Sequence, residues 1–489
     1  MLDSPTAATL STPPAGPRLS TAAAAFRSPV FAVVVCVFLL LAHVGWSFEI
    51  YPVEARVGAA LLGMLAFLAA RAASPDRLPF VPLASIQLYL HFGVPTFYRQ
   101  RLMTLSGPLN LSDQSLGAAV GAALLSFGLM YVMASPGRAF GQLVRPQVAR
   151  TLPRAPISRH ATGIRAWSAL SMAAHLVINV RPQALPESLT FAVTTIFGPT
   201  VPQVLLFLLW RETRRSLDRN YFFGVTGVAV FLGFLSGMLQ PAFIPILVTL
   251  ILMWTSSGRM QLTLTAAAIV AFLTLNPAKH AFRKQSWKSD SAGLVAKVTM
   301  WADAITTTWS GDSVDVSDRL KESAERVSSL LYVAHTLEWV PRYVPFAGAD
   351  RWWPIVYSYI PRVIWPDKPD LTGEFNKKYT VAFGLQSEAG TATTTIHLPQ
   401  MSDAYWAFGW LGVAIAGGLT GLLLGVYEGA FAKGSWTSWA AGMLFLSRLQ
   451  ATSHLGANFT GILQVFVIAA AALWGVAAIT ALNQVRSKG

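Results

Sequence analysis

The sequence predicts an all-α fold, a polytopic bundle of transmembrane helices. Three observations predict it. The 489 residues are 53% hydrophobic and only 12% charged, against roughly 25% charged in soluble domains, and the mean hydropathy is +0.48. Apolar stretches recur along most of the chain, each close to the length of about 20 residues that carries a helix across a hydrocarbon core. These stretches are continuous rather than alternating, which excludes a barrel and leaves helices as the only elements able to satisfy their backbone in lipid.

Residues 1–27 are rich in Pro, Ala, Ser and Thr with Arg18 and Arg27, and read as a disordered cytoplasmic tail ahead of an uncleaved signal anchor. About twelve spans follow, at 28–46, 57–73, 79–97, 115–134, 165–181, 188–210, 221–238, 241–255, 261–276, 402–426, 437–454 and 460–482. Pro82, Gln87, His91 and Pro95 in the third, and His175 and Asn179 in the fifth, leave a re-entrant segment open at either place. The only cysteine, Cys36, falls in the first span, so no intramolecular disulfide can form. The chain thus divides into a tail (1–27), an N-terminal bundle of about nine spans (28–276), a large loop (277–401), about three C-terminal spans (402–482) and a second short tail (483–489).

Orientation follows from the short loops, because Lys and Arg concentrate on the cytoplasmic side. Residues 135–165 carry Arg138, Arg145, Arg150, Arg154, Arg159 and Arg165 without one acidic residue, and so read as cytoplasmic. Alternation then places both termini inside and the loop 277–401 outside. The net charge of +14 needs no nucleic acid to explain it, since basic loops face anionic headgroups. Residues 277–400, by contrast, balance 14 Lys or Arg against 13 Asp or Glu.

A loop this long is expected to fold or to carry function. Ser317–Trp339 has helical periodicity, with Leu320, Ala324, Val327, Leu331 and Ala334 on one face, which predicts an amphipathic helix on the membrane surface, ended by Pro341. Val344–Pro369 then crowds Trp352, Trp353, Tyr357, Tyr359 and Trp365 among prolines and cations. An interfacial aromatic belt would account for any one of these rings. Pro361 and Pro366, however, stiffen the backbone around Arg362 and Lys368, and rings beside fixed cations suit sugar faces and phosphate oxygens together.

The run Ile360-Pro361-Arg362-x-x-Trp365-Pro366-x-Lys368-Pro369 resembles bacterial oligosaccharide repeat-unit polymerases of the Wzy type, the O-antigen and exopolysaccharide polymerases. Glu325-Arg326-Val327, the Pro345-Phe346 to Gly348 turn, and Asp403-x-Tyr405-x-x-Phe408-Gly409-Trp410-x-Gly412 add to the resemblance, which covers residues 319–420. The acidic position is more often Glu in that family, so Asp403 departs from its pattern.

The resemblance implies a multi-pass enzyme of the bacterial inner membrane with a GT-C-like architecture and a periplasmic loop. Its substrates would be undecaprenyl-pyrophosphate-linked oligosaccharides, both donor and acceptor. Membrane lipid, chain-length regulator and flippase proteins are the expected partners, with no nucleic acid. Pyrophosphate would leave as a hydroxyl attacks the anomeric carbon, and preorganised cations would stabilise the charge that develops. No D-x-D occurs in the sequence, so basic residues rather than a metal are the expected stabilisers, and no cofactor is expected.

Arg362 is the first candidate for phosphate contact, with Arg326, Lys368, Arg342 and Arg351 behind it and Trp365, Tyr405 and His454 as further substrate contacts. Each cation could equally snorkel to lipid phosphate. General-base candidates are His397, Asp403, His335, Glu388 and His454, although an Asp at a helix start is often a cap. Arg448 lies inside an apolar span, where a cation is costly and is either functional or paired, here with Glu428 or Asp403. A lipid-linked oligosaccharide flippase or other transporter, an O-antigen ligase, and a structural subunit of an export complex are the competing readings. The loop's position after the ninth span, with no repeat at half length, argues against a transporter of two six-span halves.

Overall fold

The computed structural model describes residues 28–47, 51–74, 77–98, 102–153, 155–180, 197–237, 239–257, 261–286, 293–310, 328–358, 360, 365, 367, 371–392, 396, 398–431, 435–447, 449, 453, 455–459 and 462–486. Among them the chain is helical except for one small hairpin. The helices are α1 (Pro29–Trp46), α2 (Val53–Arg71), α3 (Phe80–Phe92), α4 (Asp113–Arg150), α5 (Ala161–Val180), α6 (Thr200–Thr213), α7 (Ser216–Leu235), α8 (Leu239–Ser257) and α9 (Leu262–Ser286). They continue as α10 (Leu294–Trp309), α11 (Leu330–Trp339), α12 (Trp353–Ser358), α13 (Leu371–Ala382), α14 (Gln400–Ala430), α15 (Trp436–Ser447), α16 (Leu455–Phe459) and α17 (Ile462–Arg486). The hairpin pairs β1 (Leu102–Thr104) with β2 (Gly107–Leu109), Leu102 opposite Leu109.

Six helical stretches among the described residues are long and apolar enough to cross a membrane: Pro29–Trp46, Val53–Arg71, Asp113–Arg150, Leu239–Ser256, Gln400–Ala430 and Val465–Leu482. Their outward faces are hydrocarbon: in α1, Val33, Phe38 and Leu41 are all exposed. A bilayer would cover such a surface, and the protein is a helical membrane protein. At other predicted span positions the helices are shorter, with 13 residues in α3, 14 in α6 and 12 in α15. Residues that made the third span ambiguous are accommodated by the fold. His91 Nδ1 lies 2.9 Å from Ser329 Oγ, and Pro95 sits in a tight 3₁₀ turn that follows α3. In α5, the guanidinium of Arg165 donates to Asp218 at 2.6 and 2.8 Å.

The centre of the bundle is the pair α4 and α14. Gly417, Gly421, Gly425 and Gly429 recur every four residues on α14, and their Cα atoms abut the backbone of Ser126, Met130, Ala134 and Arg138 on α4. Gly137 and Gly141 return the contact from α4 onto Leu422 and Val426. Matching residues advance together, so the two helices run parallel. Small residues are what lets helix backbones meet in lipid, where dispersion replaces the hydrophobic effect as the driving force.

Three sequence expectations are corrected. The basic segment 135–165 is not a loop through most of its length, because α4 continues through Pro136 and Pro146 to Arg150; Gly137 and Gly141 are pressed on α14. The ninth span does not end at 276 either. The helix α9 passes Pro277 to Ser286, its Ala278 and Phe282 buried, and α10 folds back along it, with Trp301 stacked on Phe282 at 4.4 Å and its indole donating to Phe234 O. Finally, residues 317–327 of the helix expected over Ser317–Trp339 lie outside the described residues; its remainder forms α11, whose Leu331, Val333, Ala334, His335 and Thr336 are buried in the core rather than laid on a surface.

Gly421→Ala should lower stability by about 1–3 kcal/mol, since the new methyl meets the Met130 carbonyl. Gly418→Ala, whose methyl would find only the Met133 side chain at 3.6 Å, should be neutral or gain up to about 1 kcal/mol of helix propensity. Unfolding of both variants in mixed micelles measures the difference, and equal losses would contradict the backbone interlock.

Candidate functional site

The site is built where α14 breaks. Phe408 (φ −142°, ψ 25°) and Gly409 (φ 60°, ψ −145°) leave helical geometry, dividing the element into residues 400–407 and 410–430. Only glycine adopts the conformation at 409 without strain. Gln400 spans the break: its Nε2 donates to Ala416 O at 3.1 Å and Thr420 Oγ1 at 2.8 Å. These two bonds tie the N-terminal piece to the helix beyond the break.

A strap from the long loop closes on the N-terminal half. Ala347 N donates to Trp406 O at 2.9 Å, and the Trp406 indole donates to Pro345 O at 3.1 Å. The following 3₁₀ turn, Gly348–Arg351, delivers Arg351 to Asp403. Arg351 Nε and Nη2 donate to Asp403 Oδ1 at 2.9 and 2.7 Å, with the arginine 5% and the aspartate 1% exposed. The guanidinium is held between two ring faces, 4.5 Å from the Phe375 centroid and 4.6 Å from that of Trp406. The helix α13 supplies Phe375, and its Asn376 Oδ1 accepts from Leu398 N at 3.0 Å, fixing the entry into α14.

Of the residues expected from sequence, Asp403, Tyr405 and Arg351 therefore come together. Tyr405 is half-buried between Phe346 at 6.3 Å and Trp410 at 5.8 Å. Arg342 lies at the surface, its guanidinium 5.0 Å from the Tyr343 ring centroid, and Trp365 is an exposed ring beside Tyr357. Arg351 does not snorkel; it is buried. Asp403 is committed to it through both hydrogen bonds, so its geometry is that of an anchor.

The other base candidates differ. Glu388 is exposed. His335 is buried, with Nε2 3.0 Å from Phe383 O, so that nitrogen donates and carries the proton. Burial pushes its imidazole below the ordinary value, outweighing the Phe383 carbonyl and Glu338, which act the other way. Arg326, Arg362, Lys368, His397, Arg448 and His454 lie outside the described residues. Among the described residues, Pro399 and Ser453 form an antiparallel bridge, and α16 packs against α12, α13 and α14. Of the two acids weighed as partners for Arg448, Glu428 pairs with Arg138 at 2.8 Å and Asp403 with Arg351.

Sequence reasoning missed Phe375, Trp406 and Gln400. The available signal was that an acid opening an apolar helix needs a cation from elsewhere, and Arg351 is the cation next to the Pro345–Gly348 turn. Among the described residues no cluster of His, Cys, Asp or Glu is placed to hold a metal ion.

A family described as Domain of unknown function (DUF8712) matches residues 175–429, just over half of the chain. The chain belongs to this family. The matched region runs from the end of α5 to the end of α14 and so contains the strap, the ion pair and the break. No curated protein and no solved structure matches the chain.

Two outcomes are expected here. Arg351→Met, which strands the buried Asp403 carboxylate, should cost about 3–5 kcal/mol, and Arg351→Met/Asp403→Leu should recover much of it; unfolding in mixed micelles reads both. His335 titrates at about 6.5 when unfolded and lower when folded, so its contribution to stability is complete above that value and is lost as pH falls through the folded pKa. The loss of Tm from pH 7 to pH 5 should therefore shrink in His335→Gln, and an unchanged slope would remove His335 as a cause.

Proposed function

We propose that the protein is a membrane glycosyltransferase of the Wzy type. It would join undecaprenyl-pyrophosphate-linked oligosaccharide repeat units at the periplasmic face of the bacterial inner membrane and release undecaprenyl pyrophosphate. The observation that carries the reading is that two separate parts of the resembling pattern, Pro345–Gly348 and Asp403–Gly412, meet through the Ala347–Trp406 and Trp406–Pro345 hydrogen bonds. Aromatic faces surround that junction, with Phe346, Trp353, Phe408 and Trp410 all exposed, as stacking against sugar rings would require.

In this reading the chain makes about twelve crossings in a GT-C-like arrangement, with both termini cytoplasmic. The parallel pairing of α4 and α14 agrees with it, since alternation runs both from outside to inside. A hydroxyl of the acceptor attacks the anomeric carbon of the donor, its proton passes to a base, and the bond to pyrophosphate breaks with the electron pair leaving on phosphate. Arg362, Lys368 and Arg326 are the proposed clamp for that charge, and His397 the first candidate base. Arg351 and Asp403 are positioning residues that hold the strap on the broken helix. Chain-length regulators and flippases are the proposed partners.

A broken helix is also a feature of transporters, so lipid-linked oligosaccharide transport is the second reading. Purified protein in liposomes with lipid-linked repeat units separates them. Glycan ladders are expected; translocation without ladders would establish the transporter instead, and transfer only to a lipid A core acceptor a ligase. Arg362→Ala, at unchanged abundance, should slow ladder formation by about 10²-fold or more.

A further inference from the structure

A second charged region lies at the opposite end of α14. Glu428 is 16 residues beyond Gly412, roughly 24 Å along the axis at 1.5 Å per residue. There a cavity of about 120 Å³ opens between the C-terminal end of α2, the start of α3 and the middle of α4. That is room for several waters or one tetrahedral anion.

Its charged lining is Arg77, Arg138 and Glu428. The carboxylate is already satisfied: Arg138 Nε donates to Oε2 at 2.8 Å and Val81 N, in the first turn of α3, donates to Oε1 at 2.9 Å. Among the described residues the lining therefore carries one net positive charge. Arg77 has no acidic partner among the described residues, and the terminal nitrogens of Arg138 are not used by the ion pair. Two guanidinium groups thus present N–H donors to one small space, the arrangement that recognises phosphate oxygens. The remaining wall is mostly apolar, including Ala73, Leu78 and Pro82, with the polar side chains of Ser74 and Tyr131 among it. This end of α4 also carries Arg145 and Arg150.

We propose that this cavity binds a phosphate group of single negative charge. The net charge and the apolar wall fit the phosphodiester of an anionic phospholipid headgroup, with free phosphate as the other source of the same chemistry. The site is independent of the glycosyltransferase reading, being at the far end of the helix.

Native mass spectrometry of the full-length protein in detergent tests it, with phosphatidylglycerol, diacylglycerol and inorganic phosphate as probes. Wild type should retain phosphatidylglycerol and not diacylglycerol. Arg77→Gln and the cavity-filling Ala73→Leu should each reduce the retained fraction by about tenfold, and Arg145→Gln, on the exposed face of α4, should leave it unchanged. Displacement by millimolar inorganic phosphate would identify free phosphate as the ligand; resistance to it would identify the lipid. Retention as in wild type by both cavity variants, or equal retention of diacylglycerol, would overturn the proposal. Ala73→Leu removes no charge, so it decides the matter should Arg77→Gln fail to fold.

Discussion

Where Gly421 of α14 passes Met130 of α4, the backbones are too close for even a methyl group, and the same holds one turn on, at Gly425 against Ala134. This contact sets the positions of everything else. It fixes α14 in register with α4 over several turns, and both ends of the molecule are referred to that register. At one end, Ser112 caps α4 and both its amide and hydroxyl donate to Glu338 Oε2, at 3.1 and 3.2 Å, so α11 and the strap that follows it are located relative to α4. At the other, Arg138 reaches Glu428 only because Gly141 and Gly429 let the helices stay in contact that far.

The break at Phe408–Gly409 interrupts one partner of this pair without loosening it. Below the break the glycine contacts continue; above it, residues 400–407 are held by Gln400, by Asn376 and by the strap. Arg351 then replaces water around Asp403 on one side, while Phe375 and Trp406 cover its flat faces. A buried ion pair returns little net stability compared with apolar packing, yet breaking it is costly. Its effect is to make one arrangement of strap and helix much better than its neighbours, which is what a site assembled from distant segments requires.

Helix positions were legible because runs of apolar residues are a strong signal. Ends were not, for identifiable reasons. Proline ordinarily disfavours a helix interior, but it costs less where surrounding helices satisfy the freed carbonyl, and α4 runs through Pro136 and Pro146 and α9 through Pro277. Gly137 is a contact residue, which its identity alone does not reveal. The helix Leu330–Trp339 looked amphipathic because Leu331 and Ala334 share a face, but periodicity does not say whether that face meets lipid or protein, and here α4 and α14 cover it. The pairing of Arg351 with Asp403, 52 residues apart, depends on a strap geometry that no local pattern encodes. The Phe408-Gly409-Trp410 motif was visible, and its break was not, because glycine permits a positive φ without demanding it.

The charges of α14 explain how so long an element can lie in an apolar bundle. Its only charged residues are Asp403 and Glu428, and the 24 residues between them carry no charge. Those residues would span roughly 36 Å as a straight helix at 1.5 Å per residue, slightly more than a hydrocarbon core of about 30 Å. Both carboxylates therefore fall near the edges of the apolar zone, and each is met there by an arginine from another element. Arg351 arrives from the long loop and is buried; Arg138 arrives from α4 and keeps 27% of its side chain exposed. The asymmetry is chemical as well as geometric. At the Asp403 end the cation is consumed in holding the strap. At the Glu428 end the pair leaves donors over, and Arg77 adds to them. One helix thus carries a closed pair at its broken end and an open one at its straight end, and only the open pair can contribute its own arginine to an anion.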